Sequence, residues 1–411
     1  MQLTNKSGKI WLFATVFLCL LFIAIKISFL TLPCSGDEAY PYADAIHYQI
    51  EHGVSLSPAA MPADLGTGHP TLYYFLQAAW MKMVGTEMWA ARILPLFISV
   101  LLLFRIFFFG RRFFSPAIGF FCALLFASRS IFFVQSSMML PEVLLSFLLL
   151  SSIQFYFERK WLAYALYSSL LVWTKEPALL FIGLFGLFEI RRSVILHSKI
   201  TLTLKNLLFT AVPLVAALGF YTWQKIEMGW FLYPRHVSYI SFKFSDFIDK
   251  LFVLYGESMF VFYGGVFVIL TCLLFFILNL VRKNKSEKEE KEISAFLFAA
   301  LLAYMLFCSL NFSSPRYVLC LFPLFFFLTL MQVFKFFRQK EKIAWLISIL
   351  LTCINIGYLI DVRANGDCDL RNAEACLIRK RAIDYCLNKK GWKEKKIYAP
   401  FFMDHYMTKP F

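Results

Sequence analysis

The chain predicts an all-α polytopic membrane protein, and three observations carry that expectation. Of its 411 residues, 60% are hydrophobic and 19% aromatic, whereas a soluble domain stays near half apolar. Apolar stretches of about 20 residues, the length a bilayer-spanning helix needs, recur along almost the whole chain. Basic residues fall in every second connection between those stretches, as the positive-inside rule requires of a chain that crosses repeatedly.

The apolar stretches predict helices near 10–32, 88–109, 115–136, 140–157, 161–174, 177–190, 206–223, 258–281, 293–311, 316–334 and 343–360, about eleven spans. The fifth and sixth are short and parted only by Lys175-Glu176. Lys6 and Lys9, Arg111-Arg112, Arg159-Lys160, Arg191-Arg192 with Lys199 and Lys205, the run from Arg282 to Lys291, and Lys335 to Lys342 occupy alternate connections. Those connections are expected in the cytoplasm, and the others, with everything after Asp361, outside. The first apolar run is too long for the core of a cleavable signal, and Pro33 before Cys34 argues against lipoprotein processing.

Two outer connections exceed what a turn needs. Residues 33–87 carry His47, His52, Asp64, His69-Pro70 and an amphipathic stretch, Thr71 to Met83, expected to lie along the interface. Tyr73, Tyr74 and Trp80 suit its aromatic belt. Residues 224–257 hold Trp230 to His236. The low-complexity run Lys285 to Glu292 reads as a solvated cytoplasmic linker. Residues 361–411 predict a helix from Arg371 to Asn388 and a strand at 396–401, too little for a large core of their own. The expected organisation is therefore a membrane module over 1–360 and a small outer tail over 361–411.

Net charge is +15. Most of the excess lies in the cytoplasmic turns, where it has a topological cause, and in the tail, with Arg379-Lys380-Arg381 and Lys393 to Lys396. Nucleic acid is not an expected partner. Of ten cysteines, Cys19, Cys122, Cys272, Cys308, Cys320 and Cys353 lie in spans as small apolar groups. Cys34, Cys368, Cys376 and Cys386 fall outside, where a disulfide can persist. A zinc site is the weaker reading because no C-x-x-C pair exists. Neither a metal nor a cofactor is expected.

Function is carried by polar residues at the membrane faces. Asp37-Glu38 lies where the first span ends, and adjacent carboxylates there suit proton abstraction from an acceptor hydroxyl. Asp44, His69, Glu142, Lys175, Glu176, His236 and Arg316 map to the same outer side. A transporter would place ionisable groups near the midplane between broken helices; clustering on one face favours chemistry at that face, with a lipid or polysaccharide carrier as the alternative. Each residue also has an ordinary reading. Asp37 and Glu38 serve equally as hydrated loop acids, and Glu142 as a helix N-terminal charge. Lys175 serves as a snorkelling cation, Arg316-Tyr317 as an interfacial anchor, and His69 and His236 as hydrogen-bonding loop histidines. Arg92 and Arg129 read as snorkelling groups. The functional reading rests on co-occurrence.

In order along the chain, several motifs resemble the GT-C membrane glycosyltransferases. They are Asp37-Glu38, Gly68-His69-Pro70-Thr71-Leu72-Tyr73-Tyr74, Ala91-Arg92-Ile93-Leu94, Met139-Leu140-Pro141-Glu142, Thr174-Lys175-Glu176-Pro177 and Pro315-Arg316-Tyr317-Val318-Leu319. The nearest likeness is to the protein O-mannosyltransferases and the lipid A aminoarabinose transferases, over about 35–330. Glu176 stands where many members have a small residue, and Glu142 where Asp is frequent. The tail lacks the larger soluble domains of that group. The resemblance implies a GT-C-like bundle with outer-face amphipathic helices, in a bacterial inner membrane with its site on the periplasmic side. It also implies a polyprenyl-phosphate-linked sugar donor and a lipid, glycan or protein acceptor. Asp37 is then the expected base, with Glu38 and Glu142 orienting groups. Lys175 and Arg316 would meet the lipid phosphate, with Tyr317, His69, Tyr73 and His236 as further substrate contacts.

Overall fold

A computed structural model describes residues 5–196, 200–253, 265–284, 287–311, 314–361 and 366–388. All regular structure among them is helical. Among the described residues, six helices are long and apolar enough to cross a membrane: Gly8–Phe29, Met88–Phe113, Leu204–Met228, Lys288–Leu310, Pro315–Phe336 and Glu341–Ile360. Shorter apolar helices fill the bundle between them at Pro116–Ala127, Glu142–Phe157, Trp161–Val172 and Gly265–Val281. Each predicted stretch overlaps helix, though residues 258–264 lie outside the described residues, as does the strand expected at 396–401.

Helices Met88–Phe113 and Pro116–Ala127 form a hairpin that organises one side of the bundle. Ser115 caps the second helix by accepting from the Ile118 amide, with Pro116 at its first position. A Cβ on Gly110 would come within 2.3 Å of the Gly119 Cα, so the two backbones pack directly on one another. Phe109, Phe327 and Phe114 interleave beside that crossing.

Four expectations are corrected. The stretch 115–136 is not one helix: it breaks at Ser128-Arg129 and resumes at Ser130–Gln135. Arg129 does not snorkel; its guanidinium lies 4.4 Å over the Phe322 ring and donates to Asn355 at 3.2 Å. The break turns this charge inward, where an aromatic face and an amide replace water. The amphipathic helix, Leu72–Val84, packs on the bundle, and its tyrosines 73 and 74 are buried instead of forming a belt. Cys34, Cys368, Cys376 and Cys386 are free thiols; Cys34 packs with its Sγ 3.8 Å from the Met88 sulfur.

The tail helix, Leu370–Asn388, matches its expected limits. It does not stand apart, because Ser130 donates to the Cys368 carbonyl and Ser35 to Asn372. The stretch after the last span is thereby fastened to the loop that carries Asp37.

Candidate functional site

Asp37 and Glu38 sit in one turn of 3-10 helix, Gly36–Glu38, and point opposite ways. Gly36 enters it at φ +56°, a conformation that favours glycine. Glu38 faces inward with 0% exposure. Its carboxylate accepts from Arg92 Nη2 at 2.8 Å and from the Met139 amide at 2.9 Å. Arg92 is not a snorkelling group. It also donates to the carbonyls of Leu32, Pro33 and Ser137. One buried ion pair thus joins the end of the first span to the 137–139 turn. Burial pushes the Glu38 carboxyl up from its ordinary range, and Arg92 beside it works in the opposite direction.

Asp37 faces outward, its side chain 51% exposed, and lies 2.5 Å from Arg316 Nη2. Arg316 is the second residue of the 3-10 segment Pro315–Leu321. It also donates through Nε to Glu142 at 3.2 Å and through Nη1 to Asp367 at 2.8 Å. Glu142, the first residue of its helix, accepts from Lys175 Nζ at 2.7 Å through the same Oε1 that Arg316 uses. Its Oε2 has no hydrogen-bond partner among the described residues. Lys175 Nζ lies 3.9 Å above the Tyr317 ring. Burial acts against the Lys175 charge, but Glu142 outweighs it, so this amine holds its proton more firmly than usual.

Glu176, the next residue, belongs to a second cluster. His69 Nδ1 is 2.9 Å from both its oxygens, and His236 Nδ1 lies 4.0 Å away. Gly68 permits this approach: a Cβ there would fall 2.3 Å from the Tyr233 Cβ, and φ is +72°. Burial would raise the Glu176 carboxyl, yet His69 and His236 bring it below the usual range. Burial lowers His236 to about 4, with His69 adding to the shift and Glu176 opposing it. The ligand atoms of these three residues lie within 4.8 Å of one another, a spacing a divalent cation could bridge. The His69–Glu176 hydrogen bond already accounts for the closest approach.

A cavity of about 420 Å³ opens beside both clusters. His69, Lys175, Glu176, His236 and Tyr317 supply its polar rim, and Leu179, Leu180, Val237, Ile240 and Phe307 are among its apolar walls. Arg316 does not line it. It is committed to three carboxylates, so the two expected phosphate cations divide: Lys175 faces the cavity and Arg316 gathers the acids. Tyr73 is also set apart, 2% exposed and with no hydrogen-bond partner for its hydroxyl among the described residues. Asp367 was missed from sequence, because a lone acid in a polar tail carries no signal until the chain folds back.

Solved structures share this arrangement of helices. ArnT from Cupriavidus metallidurans bound to undecaprenyl phosphate matches with TM-score 0.59 at 14% identity, over 91% of this chain and 70% of that one. The chain has the GT-C fold. The oligosaccharyltransferase of Archaeoglobus fulgidus shares the GT-C fold too, with TM-score 0.52 in its apo form at 12% identity, over 95% of this chain and 61% of that one. As AglB, in complex with an inhibitory peptide and a dolichol-phosphate, it matches with TM-score 0.50 at 12% identity, over 97% of this chain and 62% of that one. The chain thus spans less than two thirds of the archaeal enzyme's length. No family model and no curated protein matches the sequence. With this fold, and with six helices among the described residues long and apolar enough to cross a membrane, the chain is an integral membrane protein.

Proposed function

We propose that the chain is a glycosyltransferase that moves a sugar from a polyprenyl-phosphate-linked donor to an acceptor hydroxyl at the outer, periplasmic face of a bacterial inner membrane. The observation that carries the reading is the Asp37–Arg316–Glu142–Lys175 chain of ion pairs, which reaches an apolar-walled cavity through Lys175. Undecaprenyl phosphate bound to ArnT and dolichol-phosphate bound to AglB support the same class of donor.

The donor's first prenyl units lie along the apolar wall, and its phosphate meets Lys175. The acceptor arrives at the exposed side of Asp37. As the acceptor oxygen forms its bond to the anomeric carbon, the anomeric C–O bond to phosphate breaks. The hydroxyl proton passes to Asp37, and polyprenyl phosphate departs with the electron pair of the broken bond. A hydroxyl becomes acidic only as that new bond forms, so the proton is transferred as the bond is made. Lys175 meets the charge that develops on the leaving phosphate. Arg316 positions Asp37 against Glu142, and Glu38 positions the same turn through Arg92. His69, His236 and Tyr317 border the space for the sugar. Residues 1–360 supply most of the module, and Asp367 completes it from the tail.

Comparing lipid-linked sugars in cells with and without the protein tests the reading. Accumulation of one polyprenyl-phosphate sugar in its absence, reversed by the wild-type gene but not by an Asp37→Asn version, is the expected result. An unchanged lipid-linked sugar pool would overturn it.

A further inference from the structure

A second, larger cavity lies near the opposite end of the same helices. Arg92 and Arg112 share the helix Met88–Phe113, and a rise of about 1.5 Å per residue sets them about 30 Å apart. Around Arg112 a cavity of about 700 Å³ opens, lined by Arg105, Arg111, Arg112 and Lys160 together with aromatic rings. Glu158 sits 2.7 Å from Lys160 and 3.9 Å from Arg112, and Glu289 lies 3.3 Å from Arg112. Among the described residues, neither Arg105 nor Arg111 forms an ion pair.

Arg105 is the telling residue. It is set about 10 Å deeper along the helix than Arg112, in a segment apolar enough to span the bilayer. Its guanidinium donates to Gln154 at 3.2 Å and lies 5.1 Å over Phe155 and 5.7 Å over Phe147. A half-buried cation at that depth is costly without an anion, and the aromatic faces offset only part of the cost.

We infer that this cavity binds the phosphate headgroup of an anionic glycerophospholipid from the leaflet opposite the candidate catalytic site. Arg105 takes the phosphate from below, and Arg111 and Lys160 take it from the rim. The apolar wall favours a lipid over a free anion: Phe104, Phe108 and Leu101 line it, and Phe108 is 39% exposed. An acyl chain can run down that surface while the headgroup stays among the cations. The positive charge of this face is then a recognition element as well as a topological signal.

Native mass spectrometry of the detergent-purified chain tests this without reference to sugar transfer. The probes are phosphatidylglycerol, phosphatidylcholine of the same acyl chains, and inorganic phosphate. The wild-type chain should retain phosphatidylglycerol about tenfold better than phosphatidylcholine, the worth of one charge-assisted contact. Arg105→Gln should remove that preference. Lys160→Gln, at a side chain 62% exposed and tolerant of change, should reduce it in case the first variant folds poorly. Arg381→Gln, an equal loss of charge on the tail helix, should leave it intact. Equal retention of the two lipids, or equal effects of all three substitutions, would overturn the assignment. Displacement of phosphatidylglycerol by inorganic phosphate alone would overturn the lipid in favour of a free anion.

Discussion

Replacing Asp37 with Asn separates the proposed chemistry from the architecture around it. The change keeps shape and removes the proton acceptor, a loss that typically costs about 10²–10⁴ in rate, or about 3–5 kcal/mol of barrier. The structural cost is smaller. The side chain is half exposed, and its partner Arg316 retains Glu142 and Asp367, so the lost ion pair is worth less than about 1 kcal/mol of stability. Turnover per folded molecule should therefore collapse while melting temperature and donor affinity change little. The assay is transfer from a synthetic polyprenyl-phosphate sugar by detergent-purified protein, with donor binding and thermal unfolding measured on the same samples. Turnover within threefold of wild type would refute Asp37 as the base. Parallel loss of turnover and melting temperature would show that it acts only by holding Arg316.

Lys175→Met should weaken donor binding and slow transfer together, because the lipid phosphate is charged in the bound donor and gains charge as the bond breaks; unchanged donor affinity and rate in a folded variant would remove Lys175 from the phosphate site. Glu38→Gln strands the Arg92 charge inside the protein and should cost about 3 kcal/mol of stability, with turnover per folded molecule largely kept; a full-stability variant would contradict the buried pair. Acid should loosen the cavity rim. His236 is lowered to about 4 from 6.5, so the unfolded chain binds its proton first, and stability present above pH 6.5 is lost as pH falls towards about 4; Glu176, held below its ordinary range, adds loss in the same direction. Unfolding scans across that range should show a slope that His236→Asn reduces, and an identical slope in the variant would be contrary. Chelators should leave transfer unchanged if Lys175, and not a metal ion, meets the phosphate as proposed; loss restored by a divalent metal would make His69, Glu176 and His236 its ligands.

Much of the bundle was legible because hydrophobic length is a one-dimensional property. A run such as 88–109 declares a helix wherever it packs. The break at Ser128-Arg129 was not legible, since the groups that receive the Arg129 guanidinium, Phe322 and Asn355, come from segments about two hundred residues away in sequence. The same limit governed Arg92, whose buried role depends on Glu38 and three carbonyls. Adjacent acids suggested a shared task for Asp37 and Glu38, whereas one turn of 3-10 helix sends them to opposite sides. Proximity in sequence set Lys175 and Glu176 together; the fold gives the first to Glu142 and the second to His69.

Arg316 binds Asp37 from the first loop, Glu142 from the middle of the chain and Asp367 from beyond the last span. The three acids therefore meet only after the segment carrying residue 367 has been made and the bundle has closed. A nascent or proteolysed chain lacking residue 367 leaves that arginine one acid short. Segments more than three hundred residues apart are in this way gathered on a single side chain.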